Sequence, residues 1–239
     1  MSLAAIQTEK DTPAAKSARR VLLLCGLLSS LLYVAFDVVA SRRYEGYSMA
    51  DQNYSELLAT GAPTRPFMLL ASVAYNLLLA AFAAGVWRSA SPKRTARITG
   101  VVMAGYAVLS MVTPLFFPMD LRGAEGTARG GLHGPMTAVM SLFIVLSMAS
   151  GAFLRGRGFR FYSLATIVIL VVFGGLTSLQ IPRLAAGQST PWMGLTERLN
   201  IYSTMAWFAA LAVALLRAEK RPVSVDGRDR NRIRHYRDM

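Results

Sequence analysis

Residues 21–40, VLLLCGLLSSLLYVAFDVVA, form a twenty-residue apolar run interrupted by one charge, Asp37. At 1.5 Å per residue, a helix of this length covers about 30 Å, the thickness of a bilayer's hydrocarbon layer. Five further stretches have the same character: residues 66–86, 98–117, 135–153, 161–179 and 200–216. The last is the shortest, and the TERL before it extends it. A barrel strand would be about ten residues long and would alternate, so the spans are read as helices. The expected fold is all-α, a polytopic transmembrane bundle of six helices.

Composition supports this reading. The chain of 239 residues is 54% hydrophobic and only 16% charged, against about 25% charged in soluble domains. The apolar excess sits in blocks, which excludes a soluble globular enzyme, a disordered chain and a fibrous repeat. A secretory signal competes for the first span, with VVA before Ser41 as a small-residue cleavage site. The length of the run, Asp37 near its end and the long basic leader favour a true span. The single cysteine, Cys25, lies inside that run. It reads as a small hydrophobe and excludes an intrachain disulfide and a cysteine metal site.

Lysine and arginine orient the spans. The N-terminal segment, the second and fourth connections and the C-terminal segment together hold nineteen of the 26 Lys and Arg. The other connections and span ends hold seven: Arg42, Arg43, Arg65, Arg122, Arg129, Arg183 and Arg198. With six spans, both tails fall on the richer side. The expected organisation is a cytoplasmic tail over residues 1–20, a transmembrane domain over 21–216 and a basic cytoplasmic tail over 217–239. The expected location is the cytoplasmic membrane. The net charge of +13 then reflects topology, and no nucleic-acid partner is expected. The last segment mixes its basic residues with acids, so it reads as solvated rather than lipid-adhering, and its His235 receives no role.

Small and polar faces are expected to join the helices, because lipid supplies no hydrophobic drive between them. Gly26, Ser30, Tyr33 and Asp37 share one face of the first span. Ser72, Tyr75 and Asn76, followed by Ala81-x-x-x-Gly85, serve the second. Tyr106, Ser110 and Thr113 serve the third, and Pro114 is expected to kink its outer end. Ser147-x-x-x-Gly151, Gly174 with Gly175, and Asn200, Thr204 and Trp207 serve the last three.

The polar residues with chemical potential collect at the outer ends. Asp37 lies one turn inside the first span, Asp120 follows FFP, His133 follows Gly130-Gly131, and Glu197 and Arg198 lead into the sixth span. The first outer connection, residues 41–65, is the longest and holds Tyr47, Ser55 and Glu56; long loops are functional or flexible. Tyr44 and Trp192 read as interfacial anchors. Three readings compete. The groups could be caps and ion pairs, with Asp120 on Arg122 or Arg129. They could form a pocket for a lipid or amphiphile head group, with Arg65, Arg129 or Arg198 meeting an anion. They could form a metal-assisted hydrolase, with Asp120 and His133 as weak metal candidates. No HExxH, GxSxG, P-loop or GxGxxG supports chemistry or names a cofactor. Transport lacks an internal repeat or a mid-membrane charge.

Several short motifs occur in a fixed order: RRYEGYS (42–48), YSELLATGAPTRP (54–66), FFPMD (116–120), GGLHG (130–134), and Glu197-Arg198 before a last span bearing Trp207. Together they resemble the bacterial and archaeal domain-of-unknown-function family 998, over about residues 19–217. The resemblance implies a six-span integral membrane protein and no agreed activity. It directs interest to Tyr47, Ser55, Pro118, Asp120 and His133 and gives none of them a catalytic role. The expected function is binding or handling of a lipid or other amphiphile at the outer face, with the membrane lipids as partners. The alternatives are an intramembrane hydrolase and a small-molecule transporter. The candidate ligand set is Asp37, Tyr47, Ser55, Asp120, Arg129, His133, Glu197 and Arg198. Asp120 and His133 are expected within about one bridging water, with Asp37 or Glu197 closing the same pocket.

The charge asymmetry predicts a labelling pattern in intact cells, in a Cys25→Ser background. A cysteine at Ser91 or Ser224 should resist a membrane-impermeant thiol reagent, and one at Ser48 or Ser189 should react. The reverse pattern would overturn the orientation.

Overall fold

A computed structural model describes residues 12–89 and 94–219. The expected tails before Thr12 and after Glu219, His235 included, lie outside the described residues. Six helices are long and apolar enough to cross a membrane. They are α1 (Pro13–Arg43), α2 (Arg65–Arg88), α3 (Arg94–Phe116), α4 (His133–Gly151), α5 (Arg157–Ser178) and α6 (Met193–Glu219). Each outruns its apolar stretch at one end or both, because polar residues propagate a helix as well as apolar ones once it is nucleated. Thr12 caps α1, accepting from the Ala15 N–H at 3.2 Å, and Pro13 sits where a missing N–H costs nothing. α1 runs unbroken through Ser41. Pro114 lies in the last turn of α3, which ends two residues later.

Around the bundle, α5 packs on α6, α6 on α1, α1 on α2, α2 on α3, and α3 on α4. α4 and α5 follow one another through a short 3-10 turn, Ala152–Leu154, but touch far less. The ring of helices therefore has a seam. No residue of α4 from 133 to 146 is buried, and none of α5 from 171 to 178. The seam widens away from the turn that joins the two helices.

The end of the bundle holding the helix termini at residues 13, 88 and 219 is filled by a tight core. Leu23, Phe82, Met103, Trp207, Phe208 and Leu211 are almost completely buried there. Polar contacts tie neighbours together, Trp207 Nε1 donating to Ser163 Oγ at 2.9 Å and Thr99 Oγ1 to Ser150 Oγ at 3.0 Å. Gly85 marks a close approach of α1 and α2: a β-carbon there would stand 2.9 Å from Leu22 Cβ and 3.0 Å from its carbonyl carbon.

At the opposite end, hereafter the loop end, the connections are folded together. The first connection forms a 3-10 helix, Tyr54–Leu58, with Leu57 fully buried. Its apolar side joins Ala40, Met68, Phe36 and Phe67 in a second cluster. The sequence suggests a functional or flexible loop, whereas the structure shows an ordered plug. The pattern of buried Leu57 and Leu58 beside a capping box, Asn53 with Glu56, explains the order.

Gly85→Ala should force α1 and α2 apart and cost about 1–3 kcal/mol, read as a lowered melting temperature in detergent. Gly175→Ala, where a β-carbon would meet nothing within 4 Å, should lose no stability. Equal effects would contradict the close crossing.

Candidate functional site

Two polar assemblies share the first turns of α6. The first centres on Arg198, which is 3% exposed, and Asp37, which is 0% exposed. Their pairing is bidentate: Nε reaches Oδ2 at 2.9 Å and Nη2 reaches Oδ1 at 2.9 Å. Tyr202 donates to Asp37 Oδ2 at 2.5 Å and Ser41 to Oδ1 at 3.2 Å. The remaining guanidinium hydrogens go to the Met49 and Gln52 carbonyls, at 2.8 and 3.0 Å, and to the Tyr47 hydroxyl, at 2.8 Å. Gly194, one turn earlier, admits this arrangement, since a β-carbon there would overlap the Gln52 carbonyl oxygen. Tyr47 passes its own proton to the Asn53 carbonyl at 2.7 Å. Every donor of Arg198 is used, so Asp37, Tyr47 and Arg198 clamp α1, α6 and the first connection rather than offering a free cation.

The second assembly is a cavity of about 160 Å³ in the loop-end half of the bundle. A single water needs about 10–15 Å³. Tyr33 of α1, Tyr54 of the plug, Tyr75 of α2 and Tyr106 of α3 line it. The Tyr33 ring stacks on Tyr54 and meets Tyr75 edge-on, both with centroids at 4.8 Å. Burial pushes the Tyr54 hydroxyl well above the ordinary phenol range, so it remains neutral. The Tyr75 hydroxyl is buried with no hydrogen-bond partner, which costs about 1–3 kcal/mol unless a guest meets it.

Of the eight sequence candidates, Ser55, His133 and Glu197 line this cavity. Glu197 accepts from the Tyr54 N–H and, at 3.5 Å, from Ser55 Oγ. His133 Nδ1 is 2.9 Å from the Phe117 carbonyl and so carries the proton, leaving Nε2 with its lone pair. Asp120 lies outside the lining. Its two oxygens accept from the Thr127 N–H, at 2.8 Å, and hydroxyl, at 2.9 Å. Asp120 thus fixes the turn before the one-turn helix Ala128–Gly131 and is not among the residues that line the cavity with His133. Asp37 is likewise held outside the lining, by Arg198. Arg129 is exposed on that one-turn helix. Arg122 pairs with Glu56, at 2.8 Å, and not with Asp120. Arg65 donates to the Leu58 and Pro114 carbonyls. The expected meeting of Arg65, Arg129 or Arg198 with an anionic group therefore has no counterpart in the cavity wall. Among the described residues, no group of three or more His, Cys, Asp or Glu could hold a metal ion.

The sequence reading took Tyr33, Tyr75 and Tyr106 as helix-packing residues and did not join them to Tyr54. The available signal is depth: Tyr33 and Tyr75 lie in the loop-end half of their spans and Tyr106 near the middle of its own.

Two of the cavity's α4 residues, Thr137 and Ser141, are exposed as well as lining. They therefore stand at an opening, on the stretch of α4 where no residue is buried. Toward the loops, by contrast, Tyr54, Ser55 and Leu58 of the plug and Pro118 and Met119 line the cavity.

Asp37→Ala would strand a buried guanidinium and should cost about 3–5 kcal/mol. Asp37→Ala combined with Arg198→Met should be more stable than the single Asp37→Ala variant. Unfolding in detergent micelles measures both, and a double variant less stable than Asp37→Ala would refute the pairing.

No curated protein and no solved structure matches the chain. One family model does, over residues 27–214, covering all six helices in whole or in large part. The chain is a multi-pass membrane protein and belongs to that family, the proteins of unknown function designated DUF998.

Proposed function

We propose that the protein binds a lipid or other amphiphile, whose head group occupies the cavity and whose tail leaves through the seam between α4 and α5. The observation that carries this reading is the direction of the opening. A water-soluble ligand would approach from the loop end, where Tyr54, Leu58, Pro118 and Met119 line the cavity. A ligand already dissolved in the bilayer would meet Thr137 and Ser141 from the side. The cavity has the composition of a small-molecule site, mostly apolar with a few convergent polar groups: Phe36, Met140 and Ile144 beside Glu197 and His133.

The charge distribution extends the proposal to orientation. The loop end faces outward and both tails face the cytoplasm of a bacterial or archaeal cell, so the head group is taken from the outer leaflet. The ionisable groups Asp37, Glu197 and Arg198 all lie within two turns of the loop end. Head-group capture at one face fits that depth better than passage of an ion across the bilayer.

Native mass spectrometry of the full chain, released gently from membranes, should show a retained amphiphile. Ser141→Trp, which fills the opening, should lose it. Leu142→Trp, on the adjacent exposed surface of α4, should keep it. Equal retention in the two variants would overturn the lateral route.

A further inference from the structure

The walls of the cavity have a chemical sign. Among its lining residues there is one carboxylate, Glu197, and no lysine or arginine. The nearest guanidinium in sequence, Arg198, is already neutralised by Asp37. A carboxyl group thus faces the cavity with no cation in the wall to match it.

The hydrogen-bonding groups point the same way. The hydroxyls of Thr113, Thr137, Ser141 and Thr204 each donate to a carbonyl one helical turn back, at 2.8 to 3.1 Å. Such back-bonding commits the proton and leaves the oxygen's lone pairs. Ser55 gives its proton to Glu197. Asn200 directs its amide N–H to the Leu170 carbonyl at 3.3 Å, which leaves Oδ1 as its free acceptor. His133 gives its Nδ1 proton to Phe117, which leaves Nε2 as an acceptor. The wall thus offers several acceptors and, beside the hydroxyls of Ser72 and the four tyrosines, no cationic donor. A phosphate, sulfate or carboxylate would find no cation in the wall, whereas a group with several N–H bonds would find several acceptors.

The four tyrosines add a third feature. Aromatic faces attract cations through the ring quadrupole, more strongly where water is excluded. Tyr75 contributes a hydroxyl as well, 2% exposed as a residue and without a partner, which can accept from an N–H.

Resting on the amphiphile reading above, we infer that the head group is a protonated amine, R–NH3+, held by the Glu197 carboxylate and the tyrosine rings with Tyr75 Oη as an additional acceptor. The amine could belong to a membrane lipid or to a free amine, and the two sources present the same chemistry to the cavity.

The test uses the full chain in nonionic micelles with radiolabelled dodecylammonium, specific binding being the part absent from Ser141→Trp. Binding should be saturable. Glu197→Gln, whose amide oxygen still accepts from Tyr54, should weaken it about tenfold or more, the scale for losing a charge-assisted hydrogen bond. Tyr75→Phe, which removes one oxygen and keeps the ring, should weaken it several-fold with the melting temperature unchanged or raised. Dodecyl sulfate should not compete, and dodecyltrimethylammonium, charged but without an N–H, should compete poorly. Equal competition by either, or unchanged binding in Glu197→Gln, overturns the amine and leaves the amphiphile reading standing. Displacement by methylammonium as effective as by unlabelled dodecylammonium upholds the amine and removes the lipid source. Absence of saturable binding by any probe overturns both.

Discussion

A buried ion pair between the first and last spans organises the loop end. Asp37 and Arg198 are each isolated from solvent, and each would be costly alone in a low-dielectric setting. Together they satisfy one another and leave spare hydrogens on the guanidinium. Those hydrogens draw in the Met49 and Gln52 carbonyls and the Tyr47 hydroxyl. The first connection is thereby pinned over α6, its 3-10 turn is set down between α1 and α2, and Tyr54 is delivered to the cavity. A surface pair could not do this, because water would compete for every donor.

The pair also explains why the obvious cations of the sequence do not define the site. Charge alone suggested Arg65, Arg129 and Arg198 as anion receptors. In the folded chain, Arg198 is saturated, Arg65 holds two backbone carbonyls, and Arg122 holds the plug through Glu56. These arginines build the architecture around a cavity that they do not enter. What reaches the cavity is the residue before Arg198, Glu197, because adjacent positions on a helix point about 100° apart.

The spans were legible because hydrophobic length is set by the bilayer and needs no tertiary information. The inward-facing Asp37 was legible for a similar reason: a carboxylate near the hydrocarbon boundary requires a partner, and few were available. The cavity was not legible. Tyr33, Tyr75 and Tyr106 sit on stripes that also pack helices, and periodicity does not distinguish a ring that fills a core from one that borders a void. Asp120 misled for another reason. Its closeness to His133 in sequence suggested a shared site, but the turn between them needs a carboxylate to gather the Thr127 N–H and hydroxyl. The order of the first connection was hidden as well, because its fixing points, Arg198 and Arg122, lie far along the chain.

The separation of Asp37 and Arg198 by 161 residues has a consequence for biosynthesis. At a synthesis rate of about 5–20 residues per second, the carboxylate would wait roughly ten to thirty seconds for its counter-charge. Four spanning helices are made in that interval, and none of α2 to α5 supplies a substitute among the observed contacts of Asp37. Its position near the end of α1 allows the side chain to remain hydrated at the interface while it waits. Closure of the bundle is then tied to arrival of the final helix, and a nascent chain that stops before α6 is marked by an exposed acid that the finished protein conceals.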